Sequence, residues 1–306
     1  MHDSNPRIAS VTVTYNPDPT RLAEQLRALR GQVGDVIVVD NASECAIAAL
    51  LVPEPGAELP RLIALPDNLG IASAFNVGVR EARRAGADFV LLLDHDSIPA
   101  PGMVEALLAG YGRQAAGGAR IAAVGPRVDD ARDHQEYPFI RVGWTHNRHL
   151  RCGNATRAEV ACDFLISSGT LLAMEHFDSV GEFDETLFID SVDLEWCCRA
   201  RSRGLALYGV CGAQLDHWLG DERRKVLGSM TLVVHSPHRL YYMTRNRFLL
   251  YRRAYMPLKW KLKDFLRGLA KLAATLLLVS PRRAYARMTV QAVRDAFGGR
   301  VGKLPP

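Results

Sequence analysis

The 306-residue chain contains no GxSxG, no HExxH, no phosphate-cradling GxxxxGK and no GxGxxG. These absences argue against a nucleophile-elbow hydrolase, a zincin, a P-loop ATPase and a Rossmann dehydrogenase. No CxxC pair occurs among the six cysteines, at 45, 152, 162, 197, 198 and 211, so no zinc ribbon or thioredoxin-type site is written here. Those thiols are expected to be buried small hydrophobes in a reducing, cytosolic compartment. The N-terminal region lacks the apolar stretch of a signal peptide or membrane span. The longest apolar run near the C-terminus, residues 272–279, is far too short to cross a bilayer. The positive surplus is only +5, too dilute to expect a nucleic acid partner. No internal repeat is present. What remains, 48% hydrophobic and 23% charged, is globular composition with room for a large α/β domain and a helical appendage.

β-Branched residues dominate Ile8–Thr14, which reads as a strand ended by the turn signal Tyr15-Asn16-Pro17. Thr20 is placed to cap a helix carrying Leu22, Leu26 and Leu29 on one face. Residues 36–39 form an uninterrupted apolar run ending in Asp40-Asn41, the pattern of a strand covered on both faces. The alternation repeats with a short strand at 62–65, a helix over 72–85 stopped by Gly86, and a strand at 89–93 ending in Asp94-His95-Asp96-Ser97. Strand and helix in turn predict a doubly wound α/β domain that binds ligands at the carboxyl ends of its strands. Further strands are expected at 121–124, 164–173 and 205–210, and helices at 175–180 and 190–203, with 129–156 as polar loop. Helices return over 241–250 and 258–278, and the chain from Gly298 is expected to fray.

Asp94 and Asp96 put two carboxylates one residue apart at a strand end. Hard divalent cations take oxygen ligands, and Mg²⁺ is often held by one or two carboxylates together with substrate phosphates. A solvated turn capping the next helix would use the same residues. Asp40-Asn41 suits hydrogen bonds to a base or ribose, or a plain turn. Asp190, Asp193 and Glu195 lie on a helix, with Asp190 and Asp193 on one face. Acidic residues there complement the helix N-terminus, and one in a partly closed pocket can act as a general base. His217 becomes a metal ligand only if it meets Asp94 and Asp96 in space. His146 and His149 have HxxH spacing with no other ligand nearby and are read as loop residues.

The order of these motifs carries more than any one of them. Thr14-Tyr15-Asn16-Pro17, Val39-Asp40-Asn41, Asn68-Leu69-Gly70, Asp94-His95-Asp96, Ser168-Gly169, the stretch from Phe188 to Asp193, and His217 follow in one chain. The pattern resembles the family 2 glycosyltransferases of GT-A fold, over roughly residues 8–255, and more narrowly the bacterial rhamnosyltransferases that use dTDP-L-rhamnose. The resemblance implies an α/β fold with a mixed central sheet flanked by helices. It implies a glycosyltransferase domain over 1–240, its donor half reaching about 125 and its acceptor half starting about 126, and a basic amphipathic helical extension over 241–306. Thr14, Tyr15, Asp40, Asn41, Asn68, Gly70 and Asn76 would line the donor pocket. Asp94 and Asp96 with His217 would hold Mg²⁺ or Mn²⁺ beside the donor diphosphate, and His95 stands where a Gln is expected. Asp193 would be the catalytic base, with Gly169, Asp190 and Trp196 near the acceptor. The implied reaction is inverting transfer of L-rhamnose to a glycan or lipid-linked acceptor in lipopolysaccharide (O-antigen) or glycolipid synthesis. A UDP-sugar donor stays open, as does a non-catalytic carbohydrate-binding protein. A nucleotidyltransferase is disfavoured, because that class carries a Gly- and Arg-rich loop where this chain has Thr14-Tyr15-Asn16-Pro17.

Lys259, Lys261, Lys263, Arg267 and Lys271 interleave with Trp260, Leu262, Phe265, Leu266 and Leu269. A basic amphipathic helix of this kind suits an anionic membrane surface and a peripheral enzyme at the inner face of the cytoplasmic membrane. Packing on the catalytic domain or a homo-oligomer interface are the other uses of such a face.

Overall fold

A computed structural model describes residues 5–51, 59–154, 158–218, 223–226, 230–233 and 235–305. Strand β1 (Ile8–Thr14) sends Ala9, Val11 and Val13 into one apolar core and buries Ser10, Thr12 and Thr14 on its other face. Helix α1 (Pro19–Ala28) is capped by Asp18, whose Oδ1 accepts from the amides of Thr20 at 2.9 Å and Arg21 at 3.1 Å. The cap is therefore Asp18 and not Thr20, because Pro19 already occupies a first-turn position that needs no amide donor. Strands β2 (Asp35–Asp40) and β3 (Arg61–Ala64) lie parallel on one side of β1. Helix α2 (Ile71–Arg84) then leads to β4 (Phe89–Asp94), parallel on the other side. A Cβ on Gly78 of α2 would lie 2.2 Å from Val11, so the helix seats directly on β1. Val90 and Leu92 of β4 face the core under α2, and Leu91 and Leu93 face the core under α3 (Met103–Ala116).

Strands β5 (Ser97–Pro99) and β6 (Ile121–Asp130) bracket α3. The stretch read as loop, 129–156, holds three short strands, β7 (Glu136–Tyr137), β8 (Phe139–Arg141) and β9 (Arg148–Leu150), and β10 (Glu159–Ala161) follows it. Strand β11 (Leu171–Ala173) is antiparallel to both β4 and β6, which makes the sheet mixed. Helices α4 (Met174–Val180) and α5 (Val192–Ser202) precede β12 (Ala206–His217), which runs parallel to β6. The sheet order is β10-β12-β6-β11-β4-β1-β2-β3, with helices on both faces. Strands β13 (Arg223–Val226) and β14 (Met230–Val233) pair with each other, and α6 (Pro237–Tyr251), α7 (Leu258–Leu278) and α8 (Arg282–Phe297) follow. The expected boundary at 240/241 falls inside α6.

Three expectations need correction. Only Leu171–Ala173 of the strand expected at 164–173 forms, because Gly169 turns at φ +81 and the Thr170 amide closes onto the Ser167 carbonyl at 2.9 Å. The tail after Gly298 is docked rather than frayed. Its Gly302 amide donates to Thr186 O at 2.7 Å, and the amide of buried Leu304 donates to the Tyr242 hydroxyl at 2.8 Å. Of the six cysteines only Cys162, Cys197 and Cys198 are buried thiols. Cys45 is exposed, and Cys152 and Cys211 form a disulfide across a Cα separation of 5.3 Å, so the cysteines no longer argue for a reducing compartment. Among the described residues no helix is long and apolar enough to cross a membrane.

Candidate active site

The parallel register of β1, β2 and β4 brings Thr14 beside Asp40, and Val13 beside Asp94, at one edge of the sheet. Buried Asp40 accepts from Thr14 Oγ1 at 2.9 Å, the Ser43 amide at 3.1 Å and the Ser43 hydroxyl at 2.5 Å, which fixes its carboxylate. Asn41 donates to Asn68 Oδ1 at 3.0 Å and accepts from the Leu69 amide at 2.9 Å. Asn68 Oδ1 also takes the Gly70 amide at 3.0 Å. Gly70 has φ +88, and a Cβ there would lie 2.4 Å from Phe188 O, so no other residue lets this loop pass. Tyr15, nearly half exposed, follows Thr14 at the same edge.

After Asp94 the chain turns through half-buried His95 and Asp96 into β5, which pairs with β12 so that Ser97 faces His217. Asp94, Asp96 and His217 thereby offer ligand atoms all within 4.8 Å of one another. His217 Nδ1 lies 2.9 Å from Ser97 Oγ and 3.3 Å from Asp96 Oδ1. Burial works against the imidazolium, but the hydrogen bond to Asp96 and the charges of Asp94, Asp96 and Asp130 outweigh it and raise the pKa. Burial likewise works against ionised Asp96, and its bond to His217 outweighs that and lowers its pKa. Two carboxylates and one imidazole are a fitting donor set for Mn²⁺ or Mg²⁺.

Three further residues build this turn. Fully buried Gln25 donates from Nε2 to the carbonyls of Asp94 and Ser97, both at 2.6 Å, and accepts from Thr12 Oγ1 at 2.9 Å. The Ser168 hydroxyl donates to Asp94. Ser97 and Ser168 lie within the sequence motifs, but their hydroxyl partners lie in other elements. Gln25 gave no signal, since one Gln on an amphipathic helix looks like part of the solvated face.

Asp193 lies in the first turn of α5, its Oδ1 accepting from the Leu194 amide at 2.7 Å. Burial pushes its carboxyl up to about 6, against the Leu194 hydrogen bond, and the charges of Asp94 and Asp190 push the same way. A carboxyl poised there can accept a proton near neutral pH. The helix starts at Val192 and not at Asp190, because the chain ahead of it is wound left-handed. The Ile189 amide reaches Leu187 O at 2.8 Å around Phe188 at φ 65, ψ −65, a γ-turn, and Asp190 and Ser191 follow at φ 64. Non-glycine residues in such regions cost about 1–3 kcal/mol each and persist only where their surroundings hold them. Asp190 is paired with Arg239 of α6 at 3.0 Å.

Two expected contacts, those of Asn76 and Trp196, do not reach the cleft. The amide of buried Asn76 is consumed inside the protein, donating to Phe183 O at 3.0 Å and Glu185 Oε1 at 2.8 Å and accepting from the Phe183 amide at 2.8 Å. It joins α2 to the 183–185 loop instead of lining the donor pocket. Trp196 is 2% exposed, stacked on Phe177, with its indole N–H on Gly181 O at 2.9 Å, so it cannot touch an acceptor. Gly169 lets the chain pass close over Pro126 and Leu215 and so sets the approach of Ser168.

Residues 10–168 match the model of glycosyl transferase family 2. Over 301 residues the chain is 31% identical to dTDP-rhamnosyl transferase RfbF of Shigella flexneri, covering 97% of this chain and 98% of that protein. It is 29% identical over 202 residues to galactofuranosyltransferase GlfT1 of Mycolicibacterium smegmatis, covering 63% of this chain and 64% of that one. GalNAc-T7, solved with UDP, GalNAc and Mn²⁺, is similar with a TM-score of 0.60 at 13% identity, over 99% of this chain and 59% of its own. TarS 1–349 of S. aureus, solved with UDP-GlcNAc, gives 0.58 at 14% identity, over 96% and 81%. At these identities the likeness is one of fold.

Proposed function

The chain belongs to glycosyl transferase family 2, and from that premise we propose that it transfers L-rhamnose, with inversion, from dTDP-L-rhamnose to a hydroxyl of a glycan or lipid-linked acceptor in cell-surface polysaccharide synthesis. The observation that carries this reading is the meeting of Asp94, Asp96 and His217 within 4.8 Å at the strand edge, with Asp193 near enough to feel the charge of Asp94. The near full-length likeness to the Shigella flexneri dTDP-rhamnosyl transferase supports rhamnose as the sugar.

In this reading Thr14, Tyr15, Asp40, Asn41, Asn68 and Gly70 border the nucleotide. Asp94, Asp96 and His217 would hold Mg²⁺ or Mn²⁺, which would supply positive charge to a leaving diphosphate. Asp193 takes the proton of the acceptor hydroxyl while that oxygen bonds to the anomeric carbon. The bond from this carbon to the diphosphate oxygen breaks, and dTDP leaves with the electron pair.

Calorimetry with dTDP, UDP and GDP, with and without Mn²⁺ or Mg²⁺, tests the donor. The expected result is metal-dependent binding that favours dTDP. A preference for UDP would discard rhamnose, and no binding of any nucleotide would remove the donor reading altogether.

The same proposal places α7 on an anionic membrane surface, at the inner face of the cytoplasmic membrane. Leu262, Phe265, Leu266 and Leu269 are all exposed and recur at three- and four-residue spacings on one stripe of the helix, and exposed Leu277 continues it about two turns later, with exposed Arg267 beside the stripe. The protein is expected to sediment with phosphatidylglycerol vesicles, less so as salt rises. Phe265→Glu with Leu266→Glu should weaken that binding by about tenfold or more, given the apolar burial lost. Full recovery in the supernatant at low salt sinks the placement, and a concentration-dependent dimer would reassign the stripe.

A further inference from the structure

We infer that α6, in the C-terminal extension, belongs to the catalytic machinery, and that Asn246 is a positioning residue for Asp193. The inference rests on reading Asp193 as the base. Asn246 is fully buried, and its single amide nitrogen donates to the carbonyls of Leu187 at 2.9 Å, Ile189 at 2.7 Å and Asp190 at 3.0 Å. Three carbonyls from four consecutive residues converge on one point only if the chain turns back on itself. The left-handed conformations of Phe188, Asp190 and Ser191 achieve that turn.

The neighbouring side chain fixes the amide in place. Fully buried Arg245 donates to Asn246 Oδ1 from Nε at 3.1 Å and from Nη2 at 2.9 Å, which leaves the Asn246 nitrogen aimed at the turn. Arg245 also donates to Thr186 O at 3.2 Å, Leu187 O at 3.0 Å and Gly302 O at 2.5 Å. Arg239, earlier on the same helix, holds the Asp190 carboxylate. One helix thus grips residues 186–190 along its length, and Asp193 stands three residues beyond that grip. The gripped segment also touches the donor side, where Phe188 O accepts from the Ile71 amide at 2.8 Å next to Gly70. A base displaced by an ångström through a change of this kind loses about 100-fold in rate.

The test compares full-length Asn246→Asp and Arg239→Gln with the wild type. Asn246→Asp keeps the size of the side chain and its acceptor for Arg245 but removes the donors. Three readouts are taken: dTDP release from dTDP-L-rhamnose, Mn²⁺-dependent dTDP binding, and hydrogen–deuterium exchange. Asn246→Asp is expected to cut turnover by about 100-fold with dTDP affinity unchanged, and to speed exchange over 184–196 but not over 89–97. Arg239→Gln should move both in the same direction by less. Wild-type turnover in folded Asn246→Asp overturns the inference. So does a loss of dTDP binding in step with turnover, which would mark a general loosening. Should the wild type release no dTDP to water in the absence of an acceptor, exchange alone decides: unchanged exchange over 184–196 in both variants overturns the positioning role. Should Asn246→Asp not fold, Arg239→Gln decides by the same criteria.

Discussion

Asn in place of Asp193 is expected to lower turnover by about 10²- to 10⁴-fold, the usual cost of losing a placed general base, while metal-dependent dTDP binding survives. The substitution is isosteric, and Asn can still accept the Leu194 amide that Asp193 accepts at 2.7 Å. What disappears is the ability to take a proton. The pH profile gives an independent sign. Protonated Asp193 cannot act as a base, so wild-type turnover rises as its carboxyl ionises and levels off above that point. Burial is the main cause that lifts this carboxyl to about 6, and burial remains when substrates bind. The share owed to the charge of Asp94 shrinks once a cation neutralises that charge. The acid limb of kcat therefore lies between the ordinary carboxylate value and about 6, and residual turnover in Asp193→Asn lacks it. Normal transfer by the variant, or an unchanged acid limb, would remove Asp193 from the role.

How much of this was legible in the sequence depended on the distance over which the information acts. The runs at 36–39 and 89–93 are apolar on both faces, so they could only be strands inside a layered sheet, and Asp40 and Asp94 at their ends followed. Strand β12 was legible to Val210 but runs on to His217. Its outer half is held by pairing with β5 and β6, from residues about a hundred positions earlier. The meeting of His217 with Asp94 and Asp96 depends on that pairing and on no local signal. Gln25 carries no local signal because its partners, Thr12 and the carbonyls of Asp94 and Ser97, come from three other elements. Trp196 and Asn76 were misplaced for the converse reason. Each sits beside motif residues in the chain, yet its side chain points into the packing between α2, α4 and α5. The start of α5 differs from the reading at 190 because the chain turns left-handed at Asp190 and Ser191, and the Asp190 carbonyl is bonded by Asn246, more than fifty residues away.

Asp96→Ala is expected to fail at an earlier stage than Asp193→Asn. Removing a partner that merely orients a metal ligand costs about 10–100-fold in metal affinity, so removing a ligand should weaken Mn²⁺ binding by more than about 100-fold. Two things go together in this variant: the carboxylate itself, and its ion-pair contact with His217 Nδ1 at 3.3 Å. The Gln25 clamp acts on the Asp94 and Ser97 carbonyls and survives, so the turn keeps its backbone and the defect stays confined to the ligand set. Mn²⁺ titration followed by electron paramagnetic resonance should show the free aquo-ion signal persisting in Asp96→Ala where the wild type removes it. Calorimetric dTDP binding should become weak and independent of metal, and turnover should fall at least as far as in Asp193→Asn. The contrast between the variants carries the assignment, since one is expected to bind donor without reacting and the other not to bind it properly. Wild-type Mn²⁺ binding by Asp96→Ala would move the metal away from this turn. Loss of dTDP binding in both variants alike would make Asp193 part of the charge balance of the donor site and not its base.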